Sequence, residues 1–355
     1  MMEKTLPEVC IIQYGFPFDS SKFCSAKGVP LVRIRDVVRG YSETYTTEIA
    51  GENYIVNDGD LLIGMDGEFN IAYWKGGRAY LNQRVCRLIP RKDVDRDYIF
   101  YYMPQALKAI EDATPFVTVK HLSAKQLSKI LIPLPDMREQ QRISAVLRSV
   151  DRVIAMQKKE LDELNNLVKS RFIELFGDQT ANPYGWQQTS IGACCTLKSG
   201  MSLPADKENE GGAIPYVKVG DMNYPGNEQY ITTSSRFVSE QTAGTGVFPV
   251  GTVVFPKRGG AIGTNKKRLT RLPICADLNV MGVTAGRRLT PQYLMAYFDT
   301  VDLGTLNNGS SVPQINNKDI APLLICIPPM ELQEQFAAFV EQTDKSKLCG
   351  KMEVA

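Results

Sequence analysis

The densest group of side chains able to hold a charged partner is Lys257-Arg-Gly-Gly-Ala-Ile-Gly-Thr-Asn-Lys-Lys-Arg268, with Arg271 just beyond it. Glycines let the backbone approach a ligand closely, while Lys257, Arg258, Lys266, Lys267 and Arg268 supply cations and Asn265 a planar amide. Cations for phosphates, combined with planar donors and acceptors for base edges, are what sequence-specific nucleic-acid binding requires. A second candidate is the polar loop Asn307-Asn-Gly-Ser-Ser-Val-Pro-Gln314, where Ser310 and Gln314 can bond phosphate or bases. Thr114 to Lys120 occupies the equivalent place earlier in the chain and offers Lys120. The counterpart of the basic run is Met65 to Arg78, which brings Lys75 and Arg78 and is followed by Arg84; its chemistry is different. Arg33, Arg35 and Lys218 lie on alternating strand-like segments. The competing readings are a solvated loop for the charge run, an ordinary turn for the polar loop, and cross-strand pairing for Arg33, Arg35 and Lys218.

Catalytic chemistry finds little support. His121 is the only histidine, which excludes a His-rich metal site and a nucleophile–histidine relay in each half of the chain. Cys10, Cys24, Cys86, Cys194, Cys195, Cys275, Cys326 and Cys349 include no CxxC pair, so reduced, mostly buried thiols are expected and no metal site. Asn182-Pro-Tyr184 is one proline short of the loop with which amino-methyltransferases hold a flipped adenine, and no glycine-rich strand-to-helix loop accompanies it. Gly259 to Lys267 lacks the order of a P-loop. Asp66-Gly-Glu68 and Asp206-Lys-Glu208 read as solvated turns rather than nuclease carboxylates.

These residues must be positioned by a chain of 355 residues, long enough that two domains are expected. Lys plus Arg (41) nearly balances Asp plus Glu (39), so positive potential must come from local clustering rather than net charge. No signal-like segment and no membrane-length apolar run is present in the sequence, which implies a cytoplasmic protein without a membrane partner.

The chain is written twice. Val29-Pro-Leu-Val-Arg-Ile-Arg-Asp36 recurs as Ile214-Pro-Tyr-Val-Lys-Val-Gly-Asp221, an alternating strand ending on Asp. Asp97-Tyr-Ile-Phe-Tyr-Tyr102 recurs as Gln292-Tyr-Leu-Met-Ala-Tyr297, a short apolar helix. Ile130 to Met137 with Glu139-Gln140 recurs as Leu323 to Met330 with Glu334-Gln335. Gly-punctuated strands, Val56 to Ile63 and Phe248 to Phe255, sit at matching places. Many short β runs with little helix before each copy ends predict curled, mainly antiparallel sheet.

Between the copies, about Asp136 to Leu175 lacks Gly or Pro until Gly177. Ile143, Leu147, Val150, Ile154, Gln157, Leu161, Leu164, Val168, Arg171 and Leu175 step by four and three, a heptad seam interrupted only by Gln157 and Arg171. At 1.5 Å per residue such a helix is a rod of roughly 60 Å, and a stripe so long and narrow implies a partner helix.

Taken together, Ile132-Pro-Leu-Pro-Asp-Met-Arg-Glu-Gln140 with its helix, Phe176-Gly-Asp178 leading to Asn182-Pro-Tyr-Gly-Trp186, and Ile327-Pro-Pro-Met330 with Phe339-Val340 and Asp344-Lys-Ser-Lys347 resemble the specificity subunit of type I restriction-modification enzymes. The resemblance spans nearly the whole chain. It implies an α+β architecture: target-recognition domain 1 at residues 1–135, a long coiled-coil spacer helix at 136–177, target-recognition domain 2 at 178–329, a shortened second spacer helix at 330–347 and a tail at 348–355. It also implies that each domain reads one half of an asymmetric, bipartite duplex DNA target without catalysing anything. Partners would be methyltransferase and restriction/motor subunits, carrying S-adenosylmethionine and ATP with Mg, while this chain carries no cofactor. Two departures stand out. The first copy starts abruptly at Glu8 without a Trp lead-in, as if its edge were trimmed. The second helix is about half the length of the first, leaving Leu161 to Leu175 without a full-length partner and open to a methyltransferase subunit or a second copy of the chain. The competing function is a non-catalytic coiled-coil scaffold whose two β-rich domains bind proteins; a stand-alone restriction enzyme is disfavoured by the missing catalytic groups.

Overall fold

Strand Leu61–Gly64 is buried along its whole length because neighbouring residues serve opposite faces. Leu61 and Ile63 join the core under helix Arg96–Ala113, while Leu62 joins a second core with Val32, Val37 and Trp74. Its counterpart Thr252–Pro256 does the same, with Val253 and Phe255 in one core and Val254 in another with Val217, Met222 and Phe248. The computed structural model describes residues 2–114, 120–306 and 312–352, and the chain divides into two units, Met1–Ala155 and Met156–Ala355.

In the first unit an antiparallel sheet runs in the order Cys10–Tyr14, Val85–Pro90, Leu61–Gly64, Asn70–Tyr73. In the second, Cys195–Ser199, Val280–Ala285 and Thr252–Pro256 form the matching antiparallel core, extended by Arg268–Thr270 and, in parallel, Tyr230–Ile231. Each copy is closed by pairing its opening strand with its last: Met2–Thr5 with Leu131–Leu134, and Gln187–Ser190 with Leu324–Ile327. The first copy therefore possesses its opening strand, ahead of the abrupt start at Glu8 that the sequence suggested. The repeated segments ending on Asp stop as strands at Val32 and Val217; Asp36 and Asp221 lie one turn on, buried, each accepting the backbone N–H of the basic residue three positions earlier.

The helix of each copy is set by the same devices. Asp95 and Thr290 cap Arg96–Ala113 and Pro291–Thr300 by accepting the N–H groups of Tyr98 and Tyr293. From those helices Tyr98 and Tyr102 donate to the carbonyls of Pro133 and Leu131, and Tyr293 and Tyr297 donate to those of Cys326 and Leu324.

A buried glutamine then fixes the start of the next helix. Gln140 accepts from the N–H of Asp95 and donates to the carbonyls of Asp93 and Pro135; Gln333 accepts from Thr290 and donates to Arg288 and Pro328. The true counterpart of Gln140 is thus Gln333, three residues after Met330, and not the Gln335 of the sequence alignment.

A single helix, Met137–Phe176, links the copies, and Met330–Met352 ends the described chain. The latter continues through residues assigned to a tail from 348. Gly177 stops the long helix at φ +72, where an added Cβ would also lie 2.5 Å from Pro183. Among the described residues no helix is long and apolar enough to cross a membrane.

Candidate nucleic-acid interface

In the second copy, the end of strand Thr252–Pro256 meets two other segments. Lys257 N–H donates to the carbonyl of Asn279, Ile315 N–H to that of Lys257, and Gly259 N–H to that of Pro313, while Arg258 and Gln314 form a β-bridge. The first copy repeats this junction bond for bond: Met65 to Arg84, Leu122 to Met65, Gly67 to Lys120, with a bridge between Asp66 and His121. The third segment is the same turn in both copies. Asn82 accepts from the N–H of Arg84, and Asp277 from the N–H of Asn279. A glycine passes tightly against each turn: a Cβ on Gly15 would sit 2.1 Å from the Asn82 carbonyl oxygen, and one on Gly200 2.1 Å from that of Asp277.

On this shared backbone the side chains differ. Position by position, Met65, Asp66, Arg84 and His121 stand where the second copy has Lys257, Arg258, Asn279 and Gln314. In the first copy the Arg84 guanidinium, half exposed, lies 2.9 Å from the largely buried carboxylate of Asp66, which His121 also engages. Arg84 shares a cleft of about 530 Å³ with Arg33, Arg35, Gln83, Ser20 and Phe23. Arg35 donates to Thr44, and Arg33 lies over the Phe23 ring. Gln83 escaped the sequence reading; the turn repeated as Asn82 to Arg84 and Asp277 to Asn279 was the signal for it. Elsewhere in this copy, Arg78 pairs with Glu52, and Lys120 donates to the last turn of helix Arg96–Ala113 through the Glu111 carbonyl. Lys75 is exposed and forms no hydrogen bond or ion pair among the described residues.

In the second copy Arg258 is exposed, and Gln314 donates to Asn316. Lys257 donates to Ser199 Oγ at 2.9 Å; burial, and secondarily the charge of Arg258, holds its ammonium below the usual lysine range.

Three of the basic-run candidates turn inward and are corrected here. Lys267 is only 4% exposed, its ammonium donating to Asn265 Oδ1 and the Val301 carbonyl. Asn265, in the left-handed region at φ +53, has its Oδ1 accepting from Lys267 and from the N–H of Leu303. Arg268 donates to the carbonyls of Asn227, Lys267 and Met222 and so ties loops together. Burial lowers the pKa of both cations. Lys266 donates to Asn223, and Lys218 pairs with Glu208 at 2.6 Å, local pairing of the kind weighed for Lys218 from sequence. Ser310 lies outside the described residues.

The helical seam divides into three. Ile143 packs on the first copy's core, and Val168 and Leu175 pack on the second's, beside buried Phe172, Phe176, Phe336 and Val340. Leu161 lines a groove of the second unit, and Leu164 is partly covered. Leu161 to Leu175 are thus covered in part, against the expectation that they are open. The seam residues left most in water are upstream, where Leu147, Val150 and Ile154 are 37%, 48% and 37% exposed with Val146, Val153 and Met156 beside them; off the seam, Leu167 and Ile173 are exposed further along the helix.

The family model described as "Type I restriction modification DNA specificity domain" matches residues 1–166 and 183–349. A relative from Escherichia coli, the type I restriction enzyme EcoBI specificity subunit, is 29% identical over 95% of this chain and 78% of its own length. The crystal structure of a type I restriction-modification system S subunit from M. genitalium superposes with a TM-score of 0.59 at 14% identity, covering 99% of this chain and 91% of that one. A chain from a structure of type I R-M complex assembly and conformational transition gives 0.54 at 18% identity, covering 99% and 92%. At such identities these two likenesses concern the fold: two repeated domains of mixed helix and strand.

Proposed function

The chain belongs to the family of type I restriction-modification DNA specificity subunits, and we propose that each of its two copies reads one half of an asymmetric, bipartite duplex target. The observation that carries this reading is the junction repeated bond for bond on two backbones with different side chains. One scaffold presented twice with unlike chemistry is what two unlike half-sites require. Most reading would be in the major groove, where all four base pairs present different donor and acceptor patterns. The protein-binding scaffold alternative is not favoured, because family membership is to a DNA specificity domain.

The chemistry is assigned to partners. Methyltransferase subunits would bring S-adenosylmethionine, and motor-nuclease subunits ATP and Mg, while this chain positions them. Support on this side is that the matching family model is described as a DNA specificity domain and the Escherichia coli relative as a specificity subunit. The apolar stripe at Leu147, Val150 and Ile154 offers such a subunit, or a partner helix in a coiled coil, an attachment face. Work on chromosomal DNA calls for a cytoplasmic location.

The test is to co-express the chain with methyltransferase subunits of the same type I system and sequence the genomic DNA for modified adenines. One bipartite asymmetric motif is expected. Complex formation without any motif, or binding to duplex DNA that is indifferent to salt, would overturn the reading, since neutralising phosphates must release counterions.

A further inference from the structure

Each junction carries a guanidinium that reaches solvent, but from a different segment. In the first copy it comes from the turn, as Arg84. In the second the equivalent turn position is Asn279, and the guanidinium comes from the strand end, as Arg258, where the first copy has Asp66. Arg84 donates from one terminal nitrogen, Nη1, to the Asp66 carboxylate at 2.9 Å, and Asp66 is itself engaged by His121. That contact uses Nη1, leaves Nε and Nη2 without a hydrogen-bond partner among the described residues on a half-exposed side chain, and restricts its rotamers, which lowers the entropy lost when it binds. Arg258 has Gln314 as its bridge partner across the junction and forms no side-chain bond among the described residues.

Resting on the DNA-reading function above, we infer that Arg84 and Arg258 are the guanine-reading residues of the two half-sites. A planar fork of parallel N–H donors matches the O6 and N7 acceptors of guanine in the major groove; the same fork also grips phosphate, but a phosphate contact carries no base preference, which is what the selection below reads. The other cations are less suited to this task. Arg33 and Arg35 share the cleft with Arg84 but stand outside the junction, Arg33 over the Phe23 ring and Arg35 bonded to Thr44; Arg78 also stands outside it, Lys267 and Arg268 are turned inward, and lysines lack the bidentate geometry. Each half of the target therefore contains at least one specified G·C pair. Asp66 is a positioning residue: it orients Arg84 without touching the base.

The chain, in complex with its methyltransferase subunits, is used to select duplexes from a randomised pool, and the bound fraction is sequenced. Wild type should enrich a bipartite motif with a fixed guanine in each half. Arg84→Lys should relax one guanine and Arg258→Lys the other, each lowering discrimination at that position on the order of 10- to 100-fold while leaving the second half-site sharp. Lysine keeps the charge and the exposed setting, so loss of fold does not enter; Asp66→Asn should blur the Arg84 position alone. A motif whose guanines survive both lysine variants, or a half-site without a guanine, overturns the inference and leaves the DNA-reading function standing. Failure of wild type to enrich any motif overturns both.

Discussion

A run of charges in sequence says nothing about which members reach solvent, and Lys257 to Arg268 shows why that matters. Asn265 adopts a left-handed conformation, the chain turns there, and Lys267 is carried inward to the Asn265 amide oxygen and the Val301 carbonyl. Lys267→Ala would leave both acceptors without that donor in a buried setting, at a cost of about 1–3 kcal/mol. The expected outcome is a fall of several degrees in Tm with the target motif unchanged. Lys75→Ala is the converse case, since Lys75 is exposed and unpartnered among the described residues. It should leave Tm unchanged and lower the magnitude of the log–log salt slope of DNA binding by about 1; an unchanged slope removes Lys75 from the DNA-contacting set. Thermal melts and salt titrations of both variants separate the two roles. Arg258 was legible as part of a glycine-rich basic run, Arg33 as a cation on an alternating strand-like segment, and Arg84 as the cation following the counterpart stretch. The inward path of Lys267 was not, because it depends on the φ of one asparagine and on a carbonyl 34 residues away.

At the scale of elements, periodicity carried the sequence reading well where a pattern repeats over many residues. The long helix falls within one residue of its expected limits, Met137–Phe176 against 136–177. Its seam was less legible. Heptad spacing identifies a stripe but not what lies against each part of it, and Phe172 and Phe176, outside the stripe, do much of the packing on the second core. Nor does spacing reveal which glutamine latches a helix start; Gln333 is recognised only from the cap it holds. Replacing Leu147 and Ile154 together with lysine should leave the melting profile nearly unchanged, because both side chains are already exposed. The same change should abolish co-purification with a methyltransferase subunit or a helical partner; co-purification undiminished from wild type would refute an attachment face there. By contrast Gln333→Ala removes a buried amide with three bonds, and should destabilise the second copy by about 1–3 kcal/mol, read by denaturant titration.

For the whole molecule, duplication was the most legible property, since three motifs recur in the same order. The register of the junction was not legible, because it joins residues more than fifty positions apart, such as Asp66 and His121. Each copy begins and ends on the same two-stranded ribbon, Met2–Thr5 with Leu131–Leu134 and Gln187–Ser190 with Leu324–Ile327. Chain entry and exit thus sit side by side, and everything between them is a loop anchored at one spot. Such a unit has the form of a cassette, whose exchange for another copy is expected to keep the fold provided the contacts of Ile143, Phe172, Phe176, Gln140 and Gln333 are kept, as a thermal melt of the exchanged chain would show. Side-chain content can then change over a whole copy while the ribbon that joins its two ends stays the same.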